Sequence, residues 1–188
     1  MPFIIYAEST PNPDVMKFVS NKILAEESKE CLNKQDSEDW PLLHNIFQFP
    51  FVKEVFISSN YISIKKNSSI DWLDISNQVR IFIQEQLNTG VKICVSNIIK
   101  TDLKKSPIIK SKFALGVEDI IQTHIRPNIQ MDGGDIELVS CKDGIIKVFL
   151  KGACSGCPSS QMTLKNGIEV LLKEKFPGKI KEVIAINT

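Results

Sequence analysis

Two cysteines in the second half of the chain, Cys154 and Cys157, have the residue type and spacing of a pair that performs one chemical task. Two intervening residues let both sulfurs reach the same metal centre, and redox-active dithiols use the same spacing. One of the intervening residues is Gly156, which lets the backbone turn tightly. We therefore predict a metal site, with iron as the preferred metal, and keep disulfide exchange as an alternative.

The proline that follows the pair predicts where the cysteines lie. Pro158 is a residue type favoured at the first position of a helix, which places Cys157 near the N-cap and Cys154 in the preceding loop. Unpaired N–H groups and the positive end of the helix dipole would lower the thiol pKa values and favour the metal-binding thiolates. Because the neighbouring residues are small, we also expect an open site. These neighbours are Ala153, Ser155, Gly156, Ser159 and Ser160.

Two cysteines do not complete an iron–sulfur or zinc site, because a [4Fe–4S] cluster or a closed all-cysteine zinc site takes four thiolates. Cys31, Cys94 and Cys141 are far from the pair along the chain, and we expect them to be buried or partly buried thiols. Two copies of the chain meeting through an isologous interface would supply four ligands. A cluster held between two subunits would lose ligands when they separate, which would make it transferable.

Two other functions use the same cysteines. A dithiol oxidoreductase is disfavoured because thioredoxin-type pairs usually follow an aromatic residue, whereas Gly152 and Ala153 precede this pair. A zinc-bridged adaptor would use the thiolates as structural ligands. His44 and His124 are expected to be ordinary core or surface histidines. A cluster carrier requires no general acid, base or substrate pocket, so under that function we do not expect an enzyme.

Composition excludes several classes of protein. The formal net charge of +1 lacks the basic excess of nucleic-acid-binding proteins. The apolar runs are much shorter than the roughly 20 residues of a membrane span. The first residues resemble neither a signal peptide nor a transit peptide, and the five cysteines, an odd number, do not suggest a disulfide framework. We therefore expect a cytoplasmic location and no nucleic-acid or membrane partner.

The pattern of apolar residues predicts an α+β protein with two small domains, residues 1–99 and 113–188, joined by a lysine-rich linker at 100–112. In the first domain, the predicted elements are strands at 3–8, 15–19, 52–58 and 61–66 and helices at 36–47 and 75–87. The second domain is predicted to have the order α-β-β-α-β, with a first helix at 117–126 that Pro127 ends or kinks. Its other elements are strands at 136–140, 145–150 and 180–186 and a helix at 159–175.

Longer motifs extend across both domains. Residues 125–164 read IRPNIQMDGGDIELVSCKDGIIKVFLKGACSGCPSSQMTL, and residues 10–18 read TPNPDVMKF. The first closely resembles the C-terminal domain of NifU-like (Nfu-type) iron–sulfur scaffold proteins, and the second resembles the opening motif of the Nfu N-terminal domain. Residues 49–66 and 71–75, FPFVKEVFISSNYISIKK and DWLDI, resemble the hairpin and helix of that domain. Phe51 departs from the family pattern, which has glycine there.

The resemblance implies a homodimer that binds a [4Fe–4S] cluster through Cys154 and Cys157 of both subunits. It implies an upstream assembly machinery that loads the cluster and apo-proteins that receive it, and leaves open whether a [2Fe–2S] cluster is also carried. Arg126 and the Asp132–Asp135 stretch match the family motif. We interpret the latter as a demanding turn capped by its aspartates rather than as a direct participant in cluster transfer.

Overall fold

A computed structural model describes residues 1–67, 69–95, 111–155 and 158–186, without the side chains of 158–161. The chain divides into two compact units, Met1–Asn97 and Ile98–Thr188. The predicted α+β class with two small domains is confirmed. The predicted linker falls mainly on residues 96–110, outside the described part, so the exact domain boundaries stay predictions.

The first unit contains a five-stranded antiparallel sheet with the strand order β1-β2-β5-β4-β3. Its strands are β1 (Ile5–Ser9), β2 (Val15–Ser20), β3 (Ala25–Cys31), β4 (Val52–Ser59) and β5 (Tyr61–Lys66). The predicted hairpin joins β4 to β5, and Ser59 adopts a φ of 49° at the turn. Strand β3 was not predicted, because only its two end residues, Ala25 and Cys31, are buried.

Two helices pack with this sheet, α1 (Pro41–Ile46) and α2 (Trp72–Asn88). The single helix expected at 36–47 is instead a short 3-10 turn, Gln35–Ser37, followed by α1. Pro41 explains the separation, because its missing N–H suits the first turn of a new helix but not a helix interior. Helix α2 begins after Asp71, whose side chain accepts a hydrogen bond from the Leu73 N–H.

In the second unit, helices precede and follow the first β-hairpin along the chain. Its helices are α3 (Lys112–Ile120), α4 (Arg126–Met131) and α5 (Pro158–Lys175), and its strands are β6 (Gly134–Lys142), β7 (Ile145–Gly152) and β8 (Glu182–Ile186). Strands β6 and β7 form an antiparallel pair, while β8 lies parallel to β7. Helix α5 makes the crossover between the two parallel strands, and the loop before it carries the cysteine pair.

The first helix of this unit differs from the predicted span of 117–126. Helix α3 starts earlier, where the Ser111 hydroxyl accepts a hydrogen bond from the Ala114 N–H. A π-helical turn, Ile121–Ile125, then leads into α4, in whose first turn Pro127 lies. The wider turn accommodates the proline, which cannot donate an intrahelical hydrogen bond.

Both units have apolar cores. The second unit buries side chains from its helices and from one face of the sheet, among them Val117, Ile121, Ile146, Val148, Leu172 and Val183, each with an exposure of 0%. No helix within the described ranges is long and apolar enough to cross a membrane.

Candidate metal centre

The predicted cysteine loop lies between strand β7 and helix α5. A short 3-10 turn, Ala153–Ser155, follows directly after Gly152, which has a φ of +66°. Helix α5 begins at Pro158, as predicted from the sequence. Gly156 and Cys157 lie outside the described residues, so the structure describes the surroundings of one of the two predicted ligands.

Cys154 is buried rather than open to solvent. Its exposure is 7%, and it belongs to the apolar core of the second unit. Burial raises the pKa of its thiol from 9.0 to about 12, and the nearby carboxylates of Asp132 and Asp135 add to this effect. The expectation of an open site with a lowered thiol pKa is therefore wrong for Cys154, because desolvation outweighs the helix N-terminus.

The Asp132–Asp135 stretch packs against the cysteine turn through its two glycines. Gly133 has a φ of +81°, and its carbonyl accepts a hydrogen bond of 3.2 Å from the Ala153 N–H. Gly134 is paired with Gly152 across the β6–β7 ladder. A Cβ added to Gly134 would lie 2.7 Å from Cys154 Sγ and 2.8 Å from the Lys151 carbonyl oxygen. Glycine is required here because the sulfur and a backbone oxygen occupy the space of a side chain.

The two aspartates of this stretch have different roles. Asp132 follows α4 at its C-cap, and its N–H donates to the Asn128 carbonyl. Asp135 caps no helix: its two carboxylate oxygens accept hydrogen bonds of 2.7 and 2.8 Å from Nε and Nη2 of Arg126. The positive φ of Gly133 confirms the predicted demanding turn. Capping of the turn by the Asp132 carboxylate stays a prediction, since the bond at that position is made by the backbone N–H. The Arg126–Asp135 contact was not predicted from the sequence, because the two motif residues come together only when α4 packs beside β6.

The other cysteines do not join Cys154. Cys141 lies near the opposite end of β6 from Gly134, where it pairs with Ile146, and Cys31 and Cys94 belong to the first unit. Cys31 is buried, while Cys94 and Cys141 are partly buried, as expected. Among the described residues, no group of three or more His, Cys, Asp or Glu side chains could hold a metal ion.

Both histidines lie in local contacts. His44 Nδ1 is 3.3 Å from the Ser37 hydroxyl, and His124 Nδ1 is 2.6 Å from the Thr123 hydroxyl.

The described part of one chain offers Cys154 as a ligand for a soft metal, and Cys157 would be the second. Four thiolates complete a [4Fe–4S] site, so these two cysteines would supply only half of its ligands.

Comparison with known proteins places this arrangement in a family. The model of the NifU-like domain matches residues 117–184, and the model of the scaffold protein Nfu/NifU N terminal matches residues 5–90. A NifU-like protein of Schizosaccharomyces pombe is 31% identical over 191 residues, which cover 97% of this chain and 72% of that protein. The chain belongs to the NifU-like family. The resemblance inferred from the motifs is confirmed.

Other relatives of this NifU-like chain carry more specific names. A Drosophila persimilis protein named NFU1 iron-sulfur cluster scaffold homolog, mitochondrial, is 32% identical over 92% of this chain. The human protein of that name is 29% identical over 92% of this chain and 68% of its own length. The chain spans 58% to 62% of the length of four such Drosophila relatives.

A solution structure of a NifU-like protein from Saccharomyces cerevisiae is also similar. Its TM-score is 0.43 at 24% identity, covering 50% of this chain and 85% of that chain.

The expected cytoplasmic location is wrong by these comparisons. The Drosophila, human and Arabidopsis relatives that contradict it are named mitochondrial proteins. The first residues, read as lacking a transit peptide, therefore did not establish the compartment.

Proposed function

We propose that this chain is an iron–sulfur cluster scaffold and carrier that binds a [4Fe–4S] cluster as cargo and transfers it to apo-proteins. Cys154 and Cys157 from each of two copies supply the four thiolates. The observation that carries the proposal is the position of Cys154 in the short turn before helix α5, with Cys157 three residues later in the sequence, in a chain of the NifU-like family. The relatives named as iron-sulfur cluster scaffolds support the same function.

Loading requires a change at the cysteine turn. Cys154 lies in the apolar core, so binding iron would require its sulfur to become accessible and to lose its proton. An upstream assembly machinery supplies the iron and sulfide. A second copy brings the other two thiolates, and the cluster then joins the two chains.

Release proceeds by ligand exchange. A cysteine thiolate of the recipient binds an iron atom as the bond from that iron to Cys154 or Cys157 breaks, and the departing thiolate takes up a proton. No electron is transferred in this step, and the iron and sulfide leave together as the cluster. Because the Cys154 sulfur can return to the apolar core, its burial there opposes its binding to the cluster.

The first unit would have a different task. Within the described ranges it contains no metal-binding group of side chains. We assign it a role in docking recipients or orienting the second unit. Deletion of residues 1–100 should then weaken transfer to recipients and leave cluster binding intact, whereas unchanged transfer to every recipient would contradict this role.

Anaerobic reconstitution with iron and sulfide tests the main proposal. We expect a cluster chromophore, about four iron and four sulfide per two chains, and a dimer in sedimentation experiments. Cys154→Ser and Cys157→Ser should each abolish all three, while Cys141→Ser, a matched thiol of the same unit, should not. A wild-type chain that forms no chromophore but readily cycles an intramolecular disulfide would support the dithiol oxidoreductase instead. Stoichiometric zinc that iron cannot displace would support the adaptor.

A further inference from the structure

We propose that the Arg126–Asp135 ion pair is a positioning element for the cysteine turn, acting through Gly134 to fix where the Cys154 sulfur lies. This inference rests on the proposed cluster-carrier function, because it assigns these two residues a role in presenting a cluster ligand. Neither residue would touch the cluster.

The pair is a two-point contact whose carboxylate is shielded from water. Arg126 donates from Nε and Nη2 to both oxygens of Asp135, at 2.7 and 2.8 Å. The Asp135 side chain is only 4% exposed, whereas that of Arg126 is 35% exposed. Two parallel hydrogen bonds fix the relative orientation of the two groups as well as their distance.

Further hydrogen bonds hold each member to its own element. One oxygen of Asp135 also accepts a bond of 2.9 Å from the Ile136 N–H of β6. Arg126 Nη1 donates to the Gln122 side chain at 2.8 Å, one helical turn earlier. The pair therefore joins the first residues of β6 to the beginning of α4, and it leaves the start of β6 little freedom to shift.

The start of β6 is the surface against which the cysteine turn packs. Gly134, next to Asp135, lies so close to Cys154 that an added Cβ would come within 2.7 Å of Sγ. Next to this contact, the carbonyl oxygen of Gly133 accepts a hydrogen bond from the Ala153 N–H. A displacement of Asp135 would therefore move the backbone that confines the Cys154 sulfur.

A second ion pair, between β6 and β7, provides a comparison. Lys151 donates to Glu137 at 3.0 Å, but the Glu137 side chain is 47% exposed. Exposed pairs of this kind contribute little to stability, whereas removing one partner of a buried pair leaves the other charge without compensation. Glu137 is two residues from Asp135, so it is a matched control for a charge change on β6.

The first measurement uses the metal-free full-length chain. Asp135→Asn and Arg126→Lys remove the two-point contact, and Glu137→Gln removes the exposed pair. Alkylation by iodoacetamide is followed at Cys154 by tandem mass spectrometry. Asp135→Asn also removes a negative charge near the thiol, so Arg126→Lys, which conserves charge, is the decisive variant. Because the buried thiol reacts only when its turn opens, we expect the rate at Cys154 to rise about tenfold or more in Arg126→Lys and less than about twofold in Glu137→Gln.

Hydrogen exchange separates a positioning role from general destabilisation. Amides at the centres of β7 and β8, around Val148 and Val183, report opening of the whole unit. We expect these amides to keep wild-type protection from exchange in Asp135→Asn, while the amide of Ala153 loses protection. If β7 and β8 lose protection by the same factor as Cys154 gains reactivity, the pair is only a structural support and the inference is overturned.

The same variants are then reconstituted with iron and sulfide, and the cluster half-life is measured with an iron chelator. We expect a half-life at least about fivefold shorter in Asp135→Asn and Arg126→Lys than in Glu137→Gln. Equal half-lives in all three would overturn this inference and leave the cluster-carrier function intact. Failure of the wild-type chain to bind a cluster would instead overturn the proposed function, and the alkylation result would still report on the turn.

Discussion

Cys154 Sγ occupies the space that a side chain on residue 134 would need. A Cβ added to Gly134 would lie 2.7 Å from this sulfur and 2.8 Å from the carbonyl oxygen of Lys151. A sulfur at the end of a side chain can move aside, but the Lys151 oxygen belongs to the backbone of β7. The first residue of β6 is therefore restricted by both the cysteine turn and the neighbouring strand.

Gly134→Ala is expected to destabilise the second unit by about 1–3 kcal/mol, because the new methyl group forces β6, β7 and the cysteine turn apart. Both tryptophans, Trp40 and Trp72, belong to the first unit, so tryptophan fluorescence reports only that unit. The loss should appear in chemical denaturation followed by far-ultraviolet circular dichroism, with the fluorescence transition unchanged. A dichroism-monitored unfolding transition equal to that of the wild type would show that the backbone accommodates the methyl group without loss of stability.

Gly167→Ala should have the opposite effect. Gly167 lies within helix α5, and a Cβ added there would meet no atom within 4 Å. Alanine favours the helix over glycine by about 1 kcal/mol, so the second unit should become more stable by roughly 0.5–1 kcal/mol. The same dichroism experiment measures this change, and a loss of stability would mean that α5 needs glycine for a contact beyond the described residues.

Cys31 should make the stability of the first unit depend on alkaline pH. It is fully buried, and burial raises the pKa of its thiol from 9.0 to about 11. Because the folded state holds this proton more tightly than the unfolded state, the contribution is complete below pH 9 and is lost as the pH rises towards 11. The loss is on the order of 2–3 kcal/mol.

Comparison with Cys31→Ala isolates this contribution from the lysines and tyrosines that titrate in the same range. The difference in unfolding free energy between the wild type and the variant, measured by tryptophan fluorescence, should be constant up to about pH 8.5 and shrink above pH 9. A difference that stays constant up to pH 11 would contradict the prediction.

Glu169 should contribute stability that is lost in acid. Its carboxylate accepts hydrogen bonds from Lys173 and from the Val183 N–H, and these lower its pKa from 4.5. The unfolded state then binds the proton more readily, so the contribution is present above pH 4.5 and is lost as the pH falls below it. Glu169→Gln should reduce the acid sensitivity of the second unit in dichroism-monitored unfolding. Glu174→Gln, at an exposed position of the same helix, should not.

Local patterns predicted much of the fold. The strands predicted at 136–140 and 145–150 flank Asp143 and Gly144, a dipeptide typical of hairpin turns, and both residues have positive φ, at 55° and 80°. Helix α5 was predicted from apolar spacing and from Pro158 at its start. In these cases the determinants lie within a few residues of one another, so the sequence alone contains them.

Elements that depend on distant contacts were missed. The interior of β3 has no buried apolar residue, and its conformation depends on pairing with β4. The parallel alignment of β7 and β8 depends on how α5 crosses from one strand to the other. For the candidate site, spacing predicted the two cysteines, but only the fold shows that Cys154 faces the core and that Arg126 reaches Asp135.

Burial of Cys154 also limits the access of oxidants to its sulfur. Oxidation of a cysteine beyond the sulfenic acid is in general irreversible, and susceptibility follows the access of oxidants to the sulfur. A sulfur with 7% exposure in an apolar core is poorly accessible to peroxide. In the proposed carrier, this burial would protect the ligand sulfur of Cys154 from irreversible oxidation.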